Sequence, residues 1–184
     1  MKRTLSALIL AAAQGMGFYA GSALALTDLT ISVYEVYPQE KNSVGKKLGT
    51  LHFEDTEEGL KISPNLQLLP PGPKGFHIHE NPSCESTLDA DKKWVAAGAA
   101  GAHLDPKHSG KHLGPNSMAG HLGDLPTLKV NPSGIANRVV VAPKLRVEDI
   151  INHSIVIHKN GDNYRDYPEK LGGAGPRIAC GVLK

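Results

Sequence analysis

The chain has 184 residues, 20 basic against 18 acidic side chains, nine histidines, two cysteines and few aromatics. Lys2 and Arg3 fall in an N-terminal leader, and the remainder is charge-balanced at 18 of each sign, with no basic run to suit nucleic acid or a membrane surface. Its length suits one domain with one core.

At the N-terminus, Lys2 and Arg3, the apolar LSALILAAA and the small-residue GSALA read as a secretory signal over residues 1–25 with cleavage after Ala25. The apolar run is broken by Gln14, Gly15 and Gly17, so it falls short of the ~20 apolar residues a membrane span requires. Residues 26–184 then form a single domain of short apolar runs alternating with polar residues: LTDLTISVYEVYP, KLGTLHFED, GLKISP, KGFHIHE, PTLKVNPSGIANRVVVAP, HSIVIHKNGD and RIACGVLK. Period-two patterning cut by turn chemistry predicts an all-β fold, with turns at Glu57–Gly59 and at the NPSG of 131–134 and at most one helical turn in RVEDII. Residues 81–125 and 159–176 fit no strand and are too long for plain connections, which marks them as functional loops. Cys84 and Cys180 are an even pair in an exported chain, where an oxidising compartment favours a disulfide.

The histidines concentrate in this frame. In GFHIHE, strand alternation sends His77 and His79 to one face and Phe76 and Ile78 to the other. The same alternation sets His158 at a strand end, opposite Ile155 and Ile157. The first long loop carries His103, His112 and His121 at equal spacing, with Asp124 three residues on, and three imidazoles with one carboxylate make a closed tetrahedral zinc set. His77, His79 and His158 supply three nitrogens of the kind copper accepts, and a fourth would come from His103 if its imidazole bound one metal through each nitrogen. HIHE lacks the helical His-x-x-x-His spacing of a zinc hydrolase.

These residues resemble the copper, zinc superoxide dismutases of the bacterial exported type. The similarity runs from about Leu29 to Lys184 through GFHIHE, NPSC, AAGAHLDP, GKHLGP, GHLGDLP, IVIH and GGAGPRIACGV. It implies an eight-stranded Greek-key β-sandwich or flattened barrel with two long functional loops, an architecture of which this enzyme is itself a standard example. It implies one copper on His77, His79, His103 and His158, and one zinc on His103, His112, His121 and Asp124. His103 becomes the bridging imidazolate and Cys84 with Cys180 the family disulfide.

The resemblance further implies dismutation of the superoxide anion in the periplasm, with no nucleic acid and no membrane span in the mature chain. Arg177, three residues before Cys180, takes the part of the anion-guiding arginine, and lysines of the 159–170 stretch add to its field. Asp162 is the candidate carboxylate joining a copper ligand to a zinc ligand, with Asp166 its competitor. His108 is set aside in favour of His112 on spacing, and His52 and His153 read as surface residues. Trp94 marks either a homodimer contact or packing on its own barrel, so a monomer is the alternative assembly. A copper- and zinc-binding module without turnover is the alternative function.

Overall fold

The computed structural model describes residues 27–184, and the leader expected at 1–25 lies outside the described residues. β1 (Asp28–Val36), β2 (Val44–Thr56) and β3 (Gly59–Leu66) form an antiparallel meander. Along β3, Leu60, Ile62 and Leu66 alternate into the core. In β1 the pairing with β2 shifts register on either side of Tyr34. That shift lets Ile31 and Val33 face the main core while Val36 faces a smaller cluster around the disulfide.

β4 (Gly72–Lys74) and β5 (Phe76–His79) are one strand interrupted at Gly75. β6 (Thr87–Leu88) and β7 (Trp94–Val95) form a small hairpin within the first long loop. β8 (Leu128–Val130) and β9 (Val140–Ala142) follow, then one helical turn, α1 (Val147–Ile150), then β10 (His153–His158) and β11 (Arg177–Leu183). Seven strands pair in the order β5-β10-β11-β1-β2-β3-β9, and β4 carries β8 at the far side. With β4 and β5 counted together, the described residues hold eight principal strands. The chain crosses between the sheet's ends from β3 to β4 and from β9 to β10, which is the Greek-key connection. The seven-stranded sheet ends at β5 and β9, and β4, which continues β5 along the chain, pairs with β8 in a separate two-stranded sheet; β8 and β9 are consecutive in sequence, and the main sheet curls into a half-barrel around its core.

The turn between them forms as the NPSG segment predicts. Asn131 Oδ1 accepts the amides of Ser133 and Ile135, both at 3.0 Å, and Gly134 takes φ +78°. The interval 81–125 differs from expectation, because β6 and β7 pair within it. Asp89 Oδ1 accepts the amides of Asp91 and Lys93 at 2.9 Å each, closing a turn too short for a period-two signal. Trp94 lies half-buried on that hairpin, opposite Leu88.

The core is filled by Leu51, Phe53, Leu60, Ile62, Phe76, Ile78, Leu125, Leu128 and Ile150, all fully buried. Each contributes roughly 1.5–3 kcal/mol against the entropy of ordering. β5 buries both its faces. Phe76 and Ile78 enter this core, while His77 and His79 are equally buried beneath the long loops.

Candidate metal centre

β5 anchors the site because the first long loop docks on it through its backbone. Ile78 donates its amide to Gly123 O, Leu104 to Ile78 O and Gly123 to Leu104 O, each at 2.9 Å. This three-membered ring of hydrogen bonds fixes His103 and Asp124 beside the strand, with His79 opposite His103 and His77 opposite Asp124. It requires a glycine, since a Cβ on Gly123 would lie 2.3 Å from Ile78 O. β10 pairs with β5 and ends at His158, which faces Arg177 of β11 across a bulge.

Four histidines, 77, 79, 103 and 158, each offer one nitrogen to a group whose ligand atoms lie within 4.8 Å of one another. Their tautomers follow from their other nitrogens. His79 Nδ1 donates to Gly101 O at 3.0 Å and His158 Nδ1 to Gly175 O at 2.9 Å. A carbonyl can only accept, so both Nε2 atoms are left as bare lone pairs. Likewise His77 Nε2 donates to Asp162 Oδ2 at 2.7 Å, which bares Nδ1. His77 Nδ1 and the Nε2 atoms of His79, His103 and His158 are all buried without a hydrogen-bond partner.

On the other side of His103, three rings converge on a single carboxylate oxygen. Asp124 Oδ1 lies 3.0 Å from Nδ1 of His103, 3.0 Å from Nδ1 of His112 and 3.4 Å from Nδ1 of His121. Its second oxygen accepts the amides of Leu113 and Gly114 at 3.2 and 3.1 Å. These four residues form the second ligand group, again within 4.8 Å. His103 belongs to both groups, one through each ring nitrogen.

Asp162 spans the two. Its Oδ1 accepts from His112 Nε2 at 2.8 Å while Oδ2 accepts from His77, and its side chain is 1 % exposed. Asp166 instead accepts the backbone amides of His112 and Leu171. Of the two aspartates, it is Asp162 that touches a ring from each group.

The electrostatics suit cations. Burial and neighbouring rings hold His77, His79 and His103 below the ordinary imidazole range, and burial takes His158 down to about 4. All four are therefore neutral near pH 7, the state in which imidazole ligates a metal. Although burial opposes it, hydrogen bonds from the rings hold Asp124 and Asp162 well below the carboxylate range. Unpartnered nitrogens converging in a buried space have no use for one another, and they fit borderline d-block ions. The all-imidazole group suits copper and the three-imidazole, one-carboxylate group suits zinc.

Arg177 lies beside the all-imidazole group. Its guanidinium donates to Ala97 O at 2.5 Å and to Gly101 O at 2.6 Å, and the latter carbonyl also holds His79. The Cys84–Cys180 disulfide is formed, with Cα atoms 5.7 Å apart, and packs against Ala96, Ala97 and Ala100. The other three histidines stay apart from both groups. His108 is exposed at φ +50°, His52 contacts Thr30 Oγ1 and His153 contacts Glu80 O. Sequence reasoning missed the docking role of Gly123 and the loop contacts of Lys144, a residue whose APKL setting carries no signal.

A family model described as copper/zinc superoxide dismutase (SODC) matches residues 47–183. The chain is 52 % identical over 142 residues to Cu-Zn superoxide dismutase 2 of Salmonella typhimurium (strain LT2), covering 77 % of this chain and 81 % of that one. It is 46 % identical to the Cu-Zn superoxide dismutase of Escherichia coli (strain K12), with the same coverage of each. Among solved structures, the Cu/Zn superoxide dismutase from Brucella abortus superimposes with a TM-score of 0.81 at 44 % identity, covering 85 % of this chain and 99 % of that one. The monomeric copper, zinc enzyme from Salmonella enterica gives 0.75 at 47 % identity, with the same coverage.

Proposed function

The chain belongs to the copper/zinc superoxide dismutase family, and from that premise we propose how its own residues divide the dismutation of superoxide to dioxygen and hydrogen peroxide. His77, His79, His103 and His158 would hold one copper, and His103, His112, His121 and Asp124 one zinc. Copper, when bound, supplies one-electron exchange with superoxide, and zinc supplies charge without redox chemistry.

The protein supplies position, protons and field. His79 and His158 are held in their ligating tautomer by carbonyls, and His77 by Asp162. His103 handles the proton. Its Nδ1 faces Asp124, so Nε2 is the nitrogen that can take up a proton on the copper side and give it to the second superoxide. Two superoxide anions and two protons then balance to one dioxygen and one hydrogen peroxide. Arg177 offers the incoming anion its positive charge, a form of steering for which superoxide dismutases are a standing example.

The observation supporting this reading is the position of His103, with Nδ1 3.0 Å from Asp124 Oδ1 and Nε2 buried without a partner. Metal analysis of the purified protein, with activity measured before and after copper addition, tests it. One copper and one zinc per chain with copper-dependent turnover is the expected result; metal-loaded protein without superoxide-dependent turnover would refute it. Arg177→Ala is expected to lower activity and flatten its decline with rising ionic strength, because exposed fields are screened by salt. An unchanged salt slope would remove the arginine from this role.

Export to the periplasm through residues 1–25 belongs to the same proposal, and mature protein beginning at Leu26 by N-terminal sequencing is the expected outcome. A homodimer contacting through the Trp94 hairpin is the proposed assembly. Sedimentation equilibrium distinguishes it from a monomer, the state named for the Salmonella enterica relative.

A further inference from the structure

The segment between His112 and His121 has almost no backbone pairing of its own. One bond closes its base, from His121 N to Lys111 O at 2.9 Å. Its carbonyls turn instead toward a side chain from another part of the fold. Lys144, in the turn between β9 and α1, donates from Nζ to Gly114 O at 3.1 Å, Ser117 O at 3.0 Å and His121 O at 2.9 Å. An ammonium has three N–H donors, and a loop carbonyl takes each of them.

Two of these carbonyls belong to the zinc machinery. His121 supplies one, and its ring reaches toward Asp124. Gly114 supplies another, two residues after His112, and its amide donates to Asp124 Oδ2. The ammonium thus grips the loop beyond His112 and again at His121, and ties both points to the barrel. Gly114 and His121 are buried, so losing the ammonium would leave carbonyls without a donor.

Resting on the zinc assignment above, we infer that Lys144 is a positioning residue for zinc, a tethered cation in a cage of loop carbonyls that sets the separation of His112 and His121. Charge alone works in the opposite direction. The Lys144 ammonium sits on the carbonyl of His121, a zinc ligand, so deleting this cation would remove Coulomb repulsion toward a metal ion there and favour it. Weaker zinc binding on neutralisation therefore reports lost geometry.

The test is the zinc dissociation constant, read by competition with a chromophoric chelator, for the parent chain, Lys144→Met and Lys144→Arg, alongside copper affinity and thermal stability. Lys144→Met is expected to weaken zinc binding by about 10- to 100-fold, the usual range for groups that orient ligands, while copper affinity changes far less. Cobalt(II) placed in the zinc group should show a weaker, broader tetrahedral visible band. Lys144→Arg should fall between the two, since its planar fork keeps the charge but cannot converge on three carbonyls from one atom. Should Lys144→Met fail to fold, Lys144→Arg carries the comparison alone, with zinc again weakened more than copper.

Zinc binding as tight as the parent's overturns the proposal. So does an equal loss of zinc affinity, copper affinity and melting temperature, which would make Lys144 a general scaffold residue. A parent chain that binds no zinc refutes the ligand assignment itself, and the proposal with it.

Discussion

At Gly172, φ is +70°, and an added Cβ would lie 1.8 Å from Asp162 Oδ1 and 2.9 Å from His112 Nε2. The missing side chain is the space in which the Asp162 carboxylate reaches His112 while still accepting from His77. Gly172→Ala combines backbone strain with displacement of that carboxylate. The expected outcome is zinc and copper retention about 10- to 100-fold weaker, measured by equilibrium dialysis against a chelator. Retention equal to the parent's would mean that the two rings do not depend on Asp162 for their orientation. GGAGPRIACGV stood out in the sequence as a motif, yet nothing in it told which of its glycines faces a carboxylate.

β11 and the first long loop act as one element because two links join them. The disulfide closes a separation of 96 residues, and Arg177 grips Ala97 O and Gly101 O from the same strand. Both links meet the alanine segment that leads into His103. Replacing the pair, Cys84→Ser with Cys180→Ser, is expected to reduce unfolding free energy by about 2–5 kcal/mol in denaturant titration. With the loop released, Arg177 loses its fixed acceptors, so activity should fall further than metal content does. Activity that tracks metal content would separate the disulfide from the arginine's position. The strands of this region were readable from alternation, whereas the β6 and β7 hairpin was not, because two-residue strands carry no period.

Burying so many titratable groups couples the stability of the fold to pH when metals are absent. His77, His79 and His103 are held below their ordinary range, and His158 at about 4, chiefly by burial. As pH falls below about 6.5 the unfolded chain takes up protons that these folded rings refuse, so stability declines toward pH 4. Asp124 and Asp162, kept low by hydrogen bonds from the rings against the opposing effect of burial, extend the loss below about pH 4 in the same direction. His112 acts oppositely. Burial lowers it, but the carboxylates beside it, Asp124 at 3.0 Å from Nδ1 and Asp162 hydrogen-bonded to Nε2, outweigh that and raise it to about 9, so its contribution is present below pH 6.5 and lost as pH rises through 9. Calorimetry of the metal-free protein should therefore find its highest melting temperature near pH 6.5, and a flat profile from 6.5 to 4.5 would contradict this account.

Residue order carried the strand alternation, the turn at NPSG, the division of histidines into a strand set and a loop set, and the family to which these motifs belong. Those features are local, because a period of two or a fixed motif is written in adjacent residues. The folded chain shows which nitrogen of each ring is free, that Asp162 rather than Asp166 touches both groups, that Gly123 and Gly172 are spaces rather than spacers, and that Lys144 holds the His112–His121 loop. Each of those is a contact between separate segments of the chain, and it exists only after the curled sheet has brought them within a few ångströms.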